Sequence, residues 1–206
     1  MKLFFAPGCP YAHRSRAMLT LLEHPFEAKE IDLSNKPADF LAVSPTGAVP
    51  LLEDDGFVLY ESAVINEYLA ESLKWQDAFS TDLKQRARER LAMKRFDDVL
   101  VPVAFESFKN PAVLEAKPMW RKEIEQIAKT VKHSKPQSLL GLHMATHWLR
   151  VSWAFPDNAL VKALGEACGE FLNAAAALPC VVKTSPDKAM TVQGLKARFG
   201  PPVAAV

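Results

Sequence analysis

A small α/β unit with a mixed four-stranded sheet, followed by an all-α unit, is the architecture this 206-residue sequence predicts. Three observations carry that expectation. Over residues 1–72 the hydrophobic period switches every few residues between that of a strand and that of a helix. Two turn segments, "GCP" and "SPTGAVP", interrupt the same stretch with proline and glycine. After Trp75 the texture changes to long amphipathic runs divided by Pro-bearing loops.

Residues 2–5, "KLFF", read as a short apolar strand that "GCP" breaks. Residues 10–23 carry a helix period, with Tyr11, Ser15, Met18 and Leu22 along one face, until "EHPF" stops it. A second strand is expected over 26–33 and a short helix over 38–43. "SPTGAVPLL" cannot be helix interior, because its prolines lack the N–H that a helix needs. The turn signal "DDG" joins 51–53 to 57–60 as a hairpin, and "ESAVINEYLAESL" then closes the unit as a helix. The order β-α-β-α-β-β-α makes residues 1–72 the first predicted domain. "SLKWQDAF" reads as the linker, and residues 80–206 as an all-helical second domain that ends in a loosely held tail, "GPPVAAV".

Composition narrows the function. With 25 Lys and Arg against 24 Asp and Glu, the net charge of +1 offers no field for phosphate backbones or anionic membranes, so no nucleic acid and no membrane partner is expected. No apolar run approaches the ~20 residues of a membrane span, and the N-terminus lacks the layout of a secretory signal. Three widely spaced cysteines, Cys9, Cys168 and Cys180, suit a reducing cytosol rather than a disulfide framework. None has a partner at Cys-x-x-Cys spacing, and His143 and His147, four apart, lack an evident third ligand. No metal site is expected; the two histidines read as core residues on a helix face, and Cys168 and Cys180 as packing residues.

Cys9 stands apart because Pro10 after it belongs at the first position of a helix. A sulfur there lies beside unpaired N–H groups and the positive end of the helix dipole, which favour the thiolate, the form that acts as nucleophile. A cationic His13, four residues on, would add to that field, as would Arg14 and Arg16. The other reading is an inert thiol in a turn. Ala12 occupies the place where a dithiol motif carries its second cysteine, so disulfide chemistry at Cys9 needs an external thiol.

Taken together, "CPYAHR", "SPTGAVPLLEDDGFVLYES" and "AVINEYLAE" resemble the thioredoxin-like domain of cytosolic glutathione transferases, most of all the cysteine-bearing omega-like classes. The resemblance implies a glutathione transferase fold, glutathione as co-substrate, a helical domain over the second substrate and a homodimer. It implies that Cys9 forms mixed disulfides with glutathione and that Tyr11 is the aromatic two residues beyond. Pro50 corresponds to a cis proline, and Val49 to the residue whose main chain pairs with the cysteinyl part of glutathione. Glu61 and Ser62 correspond to the pair at the γ-glutamyl end, and Lys36 to a lysine facing the glycine carboxylate. Chemically this set suits an extended peptide with a carboxylate at each end: strand-like pairing in the middle, charge and helix N–H groups at the ends. Lys36 also reads as a solvated loop charge, Tyr11 as packing, and Glu61 with Ser62 as an ordinary helix start.

The later chain departs from the family pattern at one point. Ser138 fits the cap of a central helix, but Gly141 replaces the acidic residue of a capping box, which predicts a displaced or weakened helix start. Phe96, Phe105, Phe108, Met119, Trp120 and Trp153 are available for a pocket between the domains, or for the core. Three functions remain open: a glutathione-dependent thiol transferase or reductase using Cys9, conjugation of glutathione to an apolar electrophile, and a non-catalytic ligand-binding or regulatory protein.

Overall fold

Four strands and eleven α-helices make up residues 1–200, the part that the computed structural model describes. The strands are β1 (Lys2–Phe5), β2 (Glu27–Glu30), β3 (Leu51–Asp54) and β4 (Phe57–Tyr60), in the sheet order β2-β1-β3-β4. β1 runs parallel to β2 and antiparallel to β3, with Leu3 opposite Leu52, and the β3–β4 hairpin sets Leu51 opposite Tyr60. The expected mixed four-stranded sheet is therefore present. Its second strand is shorter than 26–33, because Glu27–Glu30 is an exposed, charged edge anchored by buried Ile31 at its end.

Helices α1 (Pro10–Leu21), α2 (Ala38–Val43) and α3 (Ser62–Ser72) belong to the sheet part. α1 does not bury a single apolar stripe. Ala12, His13, Arg14, Ser15, Ala17, Met18 and Leu19 are all buried, whereas Tyr11 and Leu22 are half-buried. The reason is position: α1 touches the sheet, α3 and later helices of the chain, so polar as well as apolar sides are enclosed.

The helical part contains α4 (Leu83–Arg95), α5 (Val101–Lys109), α6 (Val113–Ala116), α7 (Met119–Val131), α8 (Leu139–Ala154), α9 (Ala159–Ala176), α10 (Pro179–Thr184) and α11 (Lys188–Phe199). A π-helical turn, Phe96–Leu100, joins α4 to α5. Pro102 has no N–H to continue the α-ladder, and the Val101 N–H reaches back to the Phe96 carbonyl instead. Sequence periodicity misses that bulge, as it misses α6, α10 and α11. The tail beyond Gly200 lies outside the described residues.

The segment read as a linker is held firmly. The Leu139 N–H, at the start of α8, donates to the Ala78 carbonyl at 2.9 Å, and one hydrophobic cluster runs from Leu3 and Leu69 through Trp148 to Val181. Of the six residues considered for a pocket, Phe96, Phe108 and Trp120 are core, Met119 is 62% exposed, and Phe105 and Trp153 are half-buried.

Gly141 is a requirement of the fold rather than a defect. Ser138 caps α8 by accepting the Gly141 N–H at 3.4 Å. A Cβ at this position would overlap the Pro136 carbonyl oxygen and lie 2.6 Å from its carbon. Gly141→Asp, which restores the capping-box sequence, is expected to destabilise the protein by about 1–3 kcal/mol, the cost of forced overpacking. Urea unfolding measures it, and a gain in stability would contradict the geometry.

Candidate active site

Cys9 is the N-cap of α1. Its Sγ accepts the Ala12 N–H at 3.5 Å and, as a thiol, donates to the Val49 carbonyl at 3.6 Å. The Val49–Pro50 peptide bond is cis, Pro50 is buried, and the Val49 N–H has no intramolecular partner among the described residues. A half-buried sulfur thus faces a short piece of extended main chain with an open donor. No second thiol competes for it: Cys168 and Cys180 are buried, and burial pushes the first up to about 11 and raises the second.

The γ-glutamyl candidates lie at the start of α3. Glu61 is exposed and adopts φ 68°, a left-handed conformation that costs about 1–3 kcal/mol for a residue with a side chain. Ser62 follows it, buried, and its Oγ accepts from Arg14 Nη1 at 3.1 Å. Ser15 Oγ donates to Asn66 Oδ1 at 2.8 Å and ties the same two helices again. These cross-braces between α1 and α3 set Cys9 and Ser62 in one frame. Lys36 is exposed, with Nζ 3.5 Å from where a Cβ on Gly47 would be, two residues before Val49. Tyr11 sets its ring against that of His147 at 4.8 Å; burial, then Asp97, raises its phenol above the ordinary value, so it remains protonated.

Sequence reasoning missed what lies beneath. Arg14 is fully buried, not a surface charge. It forms a two-pronged ion pair with Asp97, at 2.9 and 2.6 Å, donates through Nε to the His143 carbonyl at 3.0 Å, and lies 3.2 Å from His147 Nδ1. Asp97 comes from the π-helical turn. Burial would raise its carboxyl, but His143 and Arg14 outweigh that and hold it well below the usual carboxylate range. His143 Nε2 is 3.1 Å from Asp97 Oδ2, a close polar contact without the alignment of a good hydrogen bond. The one available signal was the acidic pair in "FDDVLVP", set in an apolar run little more than one turn before a proline.

His13 corrects a sequence expectation. It is completely buried, and burial together with Arg150 pushes it down to about 3, so it is neutral and adds no charge to the Cys9 environment. Its Nδ1 accepts from Arg150 Nη1 at 3.0 Å, which fixes the proton on Nε2, the donor to the Val181 carbonyl at 3.1 Å. Burial also lowers His143, to about 4, and His147. All three histidines are neutral when folded and take up protons at about pH 6.5 when unfolded. The unfolded chain therefore binds more protons, and stability that is full above pH 6.5 is lost as pH falls towards the folded values near 4 and 3. Unfolding free energy is expected to fall steadily from neutral pH towards pH 4; a flat profile between those limits would contradict the burial.

No helix among the described residues is long and apolar enough to cross a membrane. The family described as "Glutathione S-transferase, N-terminal domain" matches residues 8–72, the stretch holding every residue of the Cys9–Ser62 frame. Human "Glutathione S-transferase omega-2" is 34% identical over 97 residues, 47% of this chain and 40% of that protein. The chain spans about half or less of the length of the omega-named relatives it matches. "Probable glutathione transferase" of Aplysia californica is 34% identical over 83 residues, 40% of this chain but 90% of that protein. The fold extends the likeness to both parts: glutathione transferase Omega 1C of Trametes versicolor superposes with a TM-score of 0.78 at 22% identity, over 96% of this chain and 95% of that one. With the N-terminal family matched across the site and nearly the whole of one relative covered, the chain is a member of the glutathione transferase family.

Proposed function

We propose that this protein is a glutathione-dependent thiol transferase or reductase in which Cys9 is the nucleophile. The observation that carries this reading is the position of Cys9 Sγ, at the N-terminus of α1 and against the Val49 carbonyl. Residues 1–72 act as the glutathione-binding domain and residues 80–206 as the helical domain beside it. Val49 pairs with the backbone of glutathione ahead of Pro50, Glu61 and Ser62 meet its γ-glutamyl end, Lys36 faces its glycine carboxylate, and Tyr11 borders the sulfur.

The chemistry balances as two exchanges. The Cys9 thiolate attacks the glutathionyl sulfur of a mixed-disulfide substrate, the Cys9–glutathione bond forms, and the substrate leaves as a thiolate. A second glutathione thiolate then attacks the bound glutathionyl sulfur, glutathione disulfide leaves, and the Cys9 thiolate returns. An external thiol is needed because Ala12 offers no sulfur and the other cysteines are buried. Intact-protein mass measurement after incubation with glutathione disulfide tests this reading. One glutathione per chain on Cys9 is expected; absence of any adduct, with no heat of glutathione binding, would favour the non-catalytic ligand-binding reading.

We also propose that two copies pair and that the protein works in the cytosol, where its thiols stay reduced. Phe57 and Val64 are 54% and 52% exposed on β4 and α3, and Leu91 is 59% exposed on α4, apolar area that a second copy would cover. Sedimentation equilibrium should give twice the chain mass, and a single-chain mass would remove the pairing.

A further inference from the structure

Arg150 of α8 is 3% exposed, and every partner of its guanidinium is neutral. Nε donates to the Gly8 carbonyl at 3.3 Å and Nη2 to the Pro7 carbonyl at 3.4 Å. Nη1 donates to the Thr146 carbonyl at 2.7 Å and to His13 Nδ1 at 3.0 Å. No carboxylate pairs with it among the described residues, although a buried cation without a counter-charge is costly.

The other cations near the turn are already engaged. Arg14 is neutralised by Asp97. Arg16 lies over the Phe5 ring, donates to the Thr184 carbonyl and has Glu30 as its acidic neighbour. His13 is uncharged, and its remaining ring N–H is taken by Val181. Burial pushes Arg150 down to about 10, and Arg150 remains a cation at neutral pH. The Pro7 and Gly8 carbonyls that it holds are those of the two residues before Cys9, so the guanidinium stands behind the turn that presents the thiol.

We propose that Arg150 is the positioning residue of Cys9: from the helical part it clamps the Pro7–Gly8 turn and so holds the thiol at the N-terminus of α1. The inference rests on the reading of Cys9 as the nucleophile. It makes the nucleophile a product of both parts of the chain, since the residue that holds its turn lies 141 positions later, at 150 against 9. It also gives His13 a role as a neutral acceptor that orients the guanidinium.

The test is alkylation of Cys9 by iodoacetamide at neutral pH, followed by intact-protein mass, together with the ultraviolet thiolate absorbance that Cys9→Ser removes. Arg150→Met is expected to slow alkylation on the order of tenfold and to reduce the absorbance in parallel, and Arg150→Lys, which keeps the charge but lacks the planar fork that spans two carbonyls, is expected to be slowed similarly. A folded Arg150→Met protein that alkylates at the parental rate would overturn the proposal. So would a lysine variant that alkylates at the parental rate, since a charge would then suffice without the clamp. If Arg150→Met does not fold, Arg150→Gln, which keeps an amide donor for the turn, is read by the same criteria. Glutathione takes no part in this assay. A protein whose Cys9 alkylates in an Arg150-dependent way but takes no glutathione overturns the proposed function and leaves the role of Arg150 standing.

Discussion

Cys9→Ala is expected to lower glutathione-disulfide exchange by several orders of magnitude, to the uncatalysed rate, because no other sulfur can take the place of the nucleophile. Cys168 and Cys180 are both buried, and burial disfavours their thiolates. The Val49 carbonyl, the Ser62 hydroxyl and the α3 N-terminus all remain in the variant, so glutathione binding should persist while exchange is lost. Loss of rate without loss of binding identifies a chemical role and separates it from a structural one. Tyr11→Phe provides the contrast. The phenol is kept protonated by its surroundings, and its removal should change exchange only a few-fold. If instead conjugation to an electrophile survives Cys9→Ala and disappears in Tyr11→Phe, conjugation becomes the primary chemistry.

Arg14→Met is expected to have the largest effect on stability. Removing one member of a buried ion pair costs about 3–5 kcal/mol, because the other charge is left without compensation. The lower end, about 3 kcal/mol, applies here, since the Asp97 side chain keeps 25% of its surface in water. The same substitution strips a donor from Ser62 Oγ, from the His143 carbonyl and from His147 Nδ1. Urea unfolding of Arg14→Met, Asp97→Leu and the double variant measures the coupling. The double variant should be more stable than the sum of the single losses implies, and simple additivity would show that the pair is not a unit. Glutathione affinity should fall in Arg14→Met even under conditions where the protein is folded, because Ser62 then loses its anchor to α1.

Legibility in the sequence followed the range of the forces involved. The strands, the hairpin and α1 to α3 rest on local pattern and turn chemistry, and "DDG" or "SPTGAVP" announce themselves within a few residues. β2 was overestimated because an edge strand is limited by its neighbour and not by its own composition. The π-helical turn was missed because a wide turn disturbs the helical period by one residue only. Gly141 was misjudged for a related reason: a capping box is a local rule, and the Pro136 carbonyl that forbids a side chain there comes from the loop before the helix. The charged residues of α1 were misread most. His13 and Arg14 read as cations that add to the field at Cys9, but both are among the most enclosed side chains in the protein, with His13 neutral and Arg14 paired to Asp97.

By itself the sequence determined the α/β-then-helical order, the cap position of Cys9 and the missing second thiol at Ala12, all of which depend on contacts a few residues apart. Tertiary structure alone decided which charges matter. Whether a guanidinium is solvated, paired with Asp97 as Arg14 is, or left facing a thiol turn as Arg150 is, depends on elements more than 80 residues distant, since Arg14 lies 83 positions from Asp97. Burial removes water from such groups and makes their energy depend on whichever dipole or charge the fold happens to bring within a few ångströms.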